Sequence, residues 1–283
     1  MRFISFKYNN HNGIGIVVDN QIKGCTDDHE KYPGDLDFLI QSNNVSQELA
    51  KLLAKLDEFD PTKITYLPPL AASSKIICVG LNYVDHSVET GFKPPTYPTI
   101  FSRFTSSLIG HQASIIKPSV SDQLDFEGEL VVVIGRGGHR IEKAAALEHV
   151  LGYSVFNDAS IRDYQVKSPQ WTMGKNFDGT GAFGPALVTA DELPAGCQGL
   201  RLQTKLNGEL MQDANTSDMI FDVPSLVATI SEVLTLAPGD IIVSGTPAGI
   251  GWARKPPVFM RDGDVCEIEI EGVGLLRNTV QAE

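Results

Sequence analysis

Glu127 and Glu129 flank Gly128 in Asp125-Phe126-Glu127-Gly128-Glu129, and Leu130-Val131-Val132-Val133-Ile134 follows without a break. An apolar, β-branched run closed by Gly135-Arg136-Gly137-Gly138 predicts a buried strand ended by a turn. Side chains alternate faces along a strand, so Glu127, Glu129, Val131 and Val133 share one face, which turns from acidic to apolar. Two ionised carboxylates at the mouth of a core repel one another and lose hydration, unless a cation or donors compensate. Hard divalent ions such as Mg²⁺, Mn²⁺ and Ca²⁺ prefer carboxylate oxygen, so this pair is a candidate metal site. The alternative is a solvated, acid-rich sheet face. Cys266-Glu267-Ile268-Glu269-Ile270-Glu271 provides the contrast: its acids and apolar residues separate cleanly, so those glutamates are assigned no chemistry.

Other residues extend the candidate site. Asp158 ends the expected strand Tyr153–Phe156 and could be a third carboxylate; it could equally cap the helix that follows, or pair with Arg162 four residues on. Two glutamates and an aspartate leave about three positions of an octahedral ion open to water or substrate, as a catalytic site requires. His86 and Glu89 are three apart on an expected helix, the spacing of a general base oriented by an acid, and equally that of a surface ion pair. Histidines 11, 29, 111, 139 and 149 have no such partner. Lys175 lies in the glycine-rich segment Gly174–Gly181, which lacks the P-loop pattern. Ser244-Gly245-Thr246-Pro247-Ala248-Gly249-Ile250-Gly251 follows an expected strand and offers backbone N–H groups to a carboxylate or oxyanion. Its glycine spacing is wrong for a dinucleotide fingerprint.

The elements that must position these groups are mostly short strands. Residues 1–24 read as a β-meander, and Leu49, Leu52, Leu53 and Leu56 predict a helix over 46–58, capped by Asn44 or Ser46. Pro61, Pro68 and Pro69 mark a linker. Strands are expected at Ile76–Val79, Glu129–Ile134, Tyr153–Phe156, Leu200–Leu206, Ile241–Val243 and Val265–Ile270, with a type I′ hairpin at Asn207-Gly208. Helices are expected at Val84–Thr90, Glu142–Leu151 and Val223–Leu234, the last capped by Asp222. The fold class is α+β and strand-dominated, with a small N-terminal α/β domain over 1–70 and a larger domain over 71–283.

With 283 residues and 42% hydrophobic content, the chain can bury a sizeable core. A formal net charge of −12 argues against nucleic acid, though a bound metal could still attract an anionic substrate. The sequence contains neither a long apolar span nor a signal-like N-terminus, and its four scattered cysteines read as buried free thiols, so no membrane role and a cytoplasmic location are expected.

Taken in order, Val79-Gly80-Leu81-Asn82-Tyr83…His86…Glu89, Asp125–Leu130, Asn157-Asp158…Arg162-Asp163…Gln165, Trp171–Asp178 and Ser244-Gly245-Thr246-Pro247 resemble the fumarylacetoacetate hydrolase family over roughly residues 75–281. The resemblance implies a mixed β-roll, a homodimer and one Mg²⁺ or Mn²⁺ held by Glu127, Glu129 and Asp158. It also implies a His86–Glu89 dyad on a lid helix, and substrate oxygens held by Lys175, Arg162, Gln165 and Thr246. The lid is expected to order only when substrate binds, hinging near Gly91 with Pro94, Pro95 and Pro98 beyond, and to leave His86 far from the acids otherwise. Arg103-Phe104 stands where many relatives have Lys-Pro, which bears on substrate identity. The implied activity is metal-dependent C–C hydrolysis of an acylpyruvate or related 1,3-diketo acid by water activated at His86. Decarboxylation of an oxaloacetate-like acid, or isomerisation of a hydroxymuconate-like diene, would use the same enolate, and a non-catalytic ligand-binding protein is the reading from another class.

Overall fold

The computed structural model describes residues 1–89, 91, 93 and 95–283. Among these, one curled sheet of twelve strands runs through the molecule, beside a five-stranded sheet and a two-stranded pair. The strand Gly128–Ile134 lies at the centre of the large sheet, antiparallel to Val150–Asp158 on one side and to Ile241–Val243 on the other. Every residue from 128 to 134 is buried, so the strand is covered on both faces. Val131 and Val133 pack with Phe156, Phe183 and the N-terminal helical residues Leu36, Leu39 and Leu53. Leu130, Val132 and Ile134 pack on the other side with Leu202, Ile268 and Leu276 of the five-stranded sheet. The alternation read from the sequence is therefore present, but both faces meet a core.

Strand direction gathers the site. Ile76–Gly80 runs parallel to Ile241–Val243, and both are antiparallel to the central strand or lie beside a strand that is. The C-terminal ends of these two strands and of Val150–Asp158 thus meet the N-terminal end of Gly128–Ile134. Their following loops carry Leu81–Glu89, Asp158–Gln165 and Ser244–Trp252 to one rim. The N-terminal meander joins the same sheet, Arg2 and Phe3 pairing with Val188 and Leu187. A boundary near residue 70 remains a proposal about chain organisation, since the two segments share a core.

Several elements differ from expectation for local reasons. Ser46 caps a helix over Gln47–Leu53, accepting from the Leu49 N–H at 3.2 Å, but residues 57–59 leave it to pair as an edge strand with residues 22–24. Lys143–His149 winds as 3₁₀ turns, and Val150 already belongs to the next strand. Thr172–Lys175 is a helical turn, so Lys175 does not sit in an open loop. Leu36–Gln41, capped by Asp35, is a helix that the proline and glycine before it concealed. Asp222 caps Val223–Val233 as expected, and Asn207-Gly208 turns the hairpin with both residues at positive φ. All four cysteines are buried free thiols, and among the described residues no helix is long and apolar enough to cross a membrane.

One unassigned histidine gains a structural role. His111 Nδ1 accepts from the Arg277 backbone N–H at 3.1 Å, and its ring packs edge-on to Tyr66. Burial, with the nearby Arg277 charge, pushes its pKa down from 6.5 to about 4. The folded state therefore disfavours the imidazolium: this stability is complete above pH 6.5 and is lost as pH falls toward 4. Denaturant titration at pH 7 and pH 4.5 should show an acid loss from this group of about 2 kcal/mol. That share should be missing in His111→Gln, whose amide oxygen can accept the same N–H.

Candidate active site

Glu127 is placed by the strand pairing itself. Its N–H donates to Asn157 Oδ1 at 3.0 Å, and its carbonyl accepts from the Asp158 N–H at 2.9 Å. Glu127 and Asp158 are thereby fixed opposite each other, and Glu129 lies one strand step away. One carboxylate oxygen from each of the three lies within 4.8 Å of the others, and the residues are 5%, 1% and 0% exposed in sequence order. The solvated-face alternative for the two glutamates does not hold.

The surrounding charges are unequally shared. Lys175 Nζ donates to Glu127 Oε2 at 2.7 Å and to Asp158 Oδ2 at 2.5 Å. Arg162 Nη1 meets Glu127 Oε1 at 2.7 Å, while its Nε donates to Asp125 Oδ2 at 2.8 Å. Burial pushes the Glu127 carboxyl up, but Lys175, Arg162 and His86 outweigh it and bring it down to about 2. Burial works against the Lys175 ammonium too, yet Asp158 and Glu127 hold it charged. Glu129 is different. It accepts the Gly245 N–H at 2.6 Å and contacts no basic side chain among the described residues. Burial, then Asp158 and Glu127 beside it, raises its pKa well above the carboxylate range.

That imbalance is the observation that fits a metal. A buried carboxylate without a cationic partner, converging with two others through oxygen donors alone, matches a hard divalent ion. Four carboxylates (Asp125, Glu127, Glu129 and Asp158) face three basic side chains, so the cluster can accept further positive charge.

The third basic side chain is Arg103. It does not line the cavity; it lies behind Asp158, its Nη1 donating to Asp158 Oδ1 at 2.5 Å and its Nη2 to Thr180 Oγ1 at 2.7 Å. With Lys175 on the other oxygen, Asp158 is gripped from two sides. The Asp158–Arg162 pairing open from the sequence is replaced by this arrangement, and the short helix after Asp158 begins only at Arg162. Groups that orient metal ligands typically carry 10- to 100-fold in metal affinity. Arg103→Lys keeps the charge but loses the fork, and calorimetry should show its divalent-ion affinity reduced by roughly that factor.

The Ser244–Trp252 loop departs from expectation. Its N–H groups serve the protein's own carboxylates: Gly245 binds Glu129, Gly249 binds Glu89 Oε2 at 2.9 Å, and Gly251 and Trp252 bind Asp125 at 2.8 and 2.9 Å. Gly245 has φ +100°, and a Cβ there would lie 2.7 Å from the Asn82 side chain, so glycine is required. Thr246 lines the cavity, but its hydroxyl accepts from Gln212 and donates to the Gly128 carbonyl, which places it as a brace. Gln165 accepts from Arg162 Nη1 at 2.9 Å and orients it. Asp125 escaped functional assignment, though its place beside the paired glutamates was a signal; Arg103, singled out for substrate identity, instead grips Asp158.

His86 and Glu89 lie on the helix Val84–Glu89, with Nδ1 to Oε1 at 2.9 Å. His86 is 6% exposed and lines a cavity of about 40 Å³ together with Glu127, Glu129, Arg162 and Lys175. The expected swung-out position is thus not the one observed. The Gly249 N–H holds Glu89, and Glu89 holds His86, so the helix is latched over the acids. Thr90 and Pro94 of the expected lid and its hinge lie outside the described residues.

Residues 75–281 match the model described as "Fumarylacetoacetate (FAA) hydrolase C-terminal". The rat protein named oxaloacetate tautomerase Fahd2a, mitochondrial, is 43% identical over 230 residues, 81% of this chain and 73% of its own. A solved fumarylacetoacetate hydrolase from Exiguobacterium antarcticum superposes with TM-score 0.89 at 34% identity, covering 100% of both chains. A 5-carboxymethyl-2-hydroxymuconate delta-isomerase from Mycobacterium smegmatis gives TM-score 0.78 at 31% identity, covering 100% of this chain and 99% of that one. Sequence, strand-dominated fold and buried acidic centre agree: the chain is an enzyme of the fumarylacetoacetate hydrolase family.

Proposed function

We propose that the chain interconverts the enol and keto forms of a small oxaloacetate-like 2-oxo dicarboxylic acid, with Mg²⁺ or Mn²⁺ as cofactor. The observation that carries this reading is Arg162 Nη2. It is buried, belongs to a residue lining the cavity, and has no hydrogen-bond partner among the described residues. A buried guanidinium N–H without a partner is costly, and a substrate carboxylate supplies what it lacks. Small cavity size and the names of two relatives, a tautomerase and an isomerase, support a compact acid and a proton relocation.

A divalent cation on Glu127, Glu129 and Asp158 would polarise the 2-oxo group as a Lewis acid. Arg162, steadied by Gln165 and Asp125, binds a carboxylate and fixes its direction. Ketonisation removes a proton from the enol oxygen and adds one at C3, with no water consumed. His86 lines the cavity, oriented through Nδ1 by Glu89, and moves that proton. Lys175, held charged beside Glu127 and Asp158, stabilises the enolate oxygen electrostatically. Trp171, Trp252 and Ile250 form apolar walls of the cavity.

The His86–Glu89 hydrogen bond also favours a second reading, hydrolysis of an acylpyruvate by water activated at His86. Product analysis separates the two. With Mg²⁺ or Mn²⁺, oxaloacetate and an acylpyruvate panel are followed by NMR. The proposal requires faster keto–enol exchange of oxaloacetate without loss of its carbons; rapid cleavage of the acylpyruvates with no such exchange would replace it by the hydrolase reading. We propose also that the functional unit is a homodimer, as the family resemblance implies, which sedimentation can measure.

A further inference from the structure

We propose that Trp171 sets the length of acid the enzyme accepts, by walling the small polar cavity off from a larger apolar groove beside it. This rests on the reading above, that the cavity binds a 2-oxo acid. The cavity over the acidic triad measures about 40 Å³, and next to it lies an open groove of about 790 Å³. Leu81, Phe101 and Trp171 line both, so these three residues are the partition. On its outer side the groove is lined by Ile100, Val166 and Pro169, with Ile100 41% and Val166 59% exposed. These apolar walls suit an alkyl chain, while Thr99, Lys167, Ser168 and Gln170 line the rest of the groove.

The indole is seated by two contacts. Its ring meets Phe101 edge-on, with centroids 5.5 Å apart. On its other side it presses against Gly80: a Cβ there would lie 2.3 Å from Cζ3 and 2.8 Å from Cη2 of the indole. Gly80 is absent from the positive-φ positions, so space for this ring is what glycine provides there. Trp171 is thus held flush with the strand end that leads into the site, between the charged groups and the groove. A compact acid fits behind it, whereas a longer chain attached at C3 meets the indole. Shortening residue 171 joins the two spaces and gives that chain an apolar path outward.

The test uses inert 2-oxo acid mimics with the Mg²⁺-loaded full-length enzyme: oxamate, N-propyl-oxamate and N-hexyl-oxamate, measured by calorimetry. Wild-type affinity should fall with chain length. In Trp171→Ala the ratio of N-hexyl-oxamate to oxamate affinity should rise by about 10- to 100-fold, with Trp171→Leu and Trp171→Phe in between. The graded pair keeps the test open if the alanine variant folds poorly. Parallel chain-length series in wild type and variants would overturn the partition, as would variants that change only the sedimentation behaviour, which would make the groove a contact between copies. Failure of oxamate to bind the wild type would instead overturn the 2-oxo acid reading, and the partition with it.

Discussion

Glu129→Gln loses the divalent cation and keeps its stability, whereas Asp158→Asn loses the cation and is destabilised. The difference lies in who balances each charge. Glu129 contacts no basic side chain among the described residues, and its burial beside Asp158 and Glu127 raises its pKa well above the usual carboxylate value. A neutral, isosteric amide therefore replaces it at little cost, with its oxygen still able to accept the Gly245 N–H. Asp158 balances Arg103 and Lys175, both buried; removing its charge leaves Arg103 without an ion-pair partner among the described residues and Lys175 with Glu127 alone. Breaking such a pair costs about 3–5 kcal/mol. Denaturant titration in chelator should show Glu129→Gln close to wild type and Asp158→Asn destabilised by that amount. Calorimetry should show both losing more than roughly 100-fold in metal affinity, since ligands outrank the groups that orient them. Equal stability of the two variants in chelator would contradict the charge assignment.

His86→Ala should suppress turnover by about two to four orders of magnitude, the usual share of a positioned acid–base group, and should leave metal affinity unchanged. Glu89→Gln should resemble it more weakly: it keeps a hydrogen bond but removes the charge that supports an imidazolium. Any oxaloacetate decarboxylation should fall much less, because loss of CO₂ needs an electron sink and no base. Steady-state assays of both activities in both variants decide this. Parallel losses would contradict the division of labour, and unchanged turnover in His86→Ala would return the pair to a mere ion pair.

The centre was legible because strand alternation is rigid. Once Leu130–Ile134 reads as a buried strand, Glu127 and Glu129 must share a face, and only the ion-pair environment remains to be learned. The motifs named along the chain lie close together in the fold: His86, Arg162 and Lys175 line one cavity with Glu127 and Glu129, and Asp158 converges on the two glutamates, although His86 was expected to lie away from them. What stayed hidden depends on contacts distant in sequence. Arg103 reaches Asp158 across 55 residues, and Asp125 reaches Trp252 across 127, distances no local pattern reports. The Ser244–Trp252 loop read as a set of free donors because its acceptors, Glu89, Asp125 and Glu129, come from three other segments. Helix ends erred where tertiary pairing competes with propensity, as at residues 57–59, which an edge strand claims.

The central claim is that a divalent cation on the acidic triad and a proton carried by His86 together interconvert enol and keto acids. Its most direct measurement is the decay of the enol absorbance after dissolving enol-oxaloacetate in stopped flow, with enzyme in Mg²⁺ or Mn²⁺, with enzyme in excess chelator, and with His86→Ala in metal. The account predicts fast decay in the first case only, yielding intact keto acid and recovering when metal is returned to the chelated enzyme. Full acceleration by the chelated enzyme, or decay in metal no faster than without protein, would contradict it.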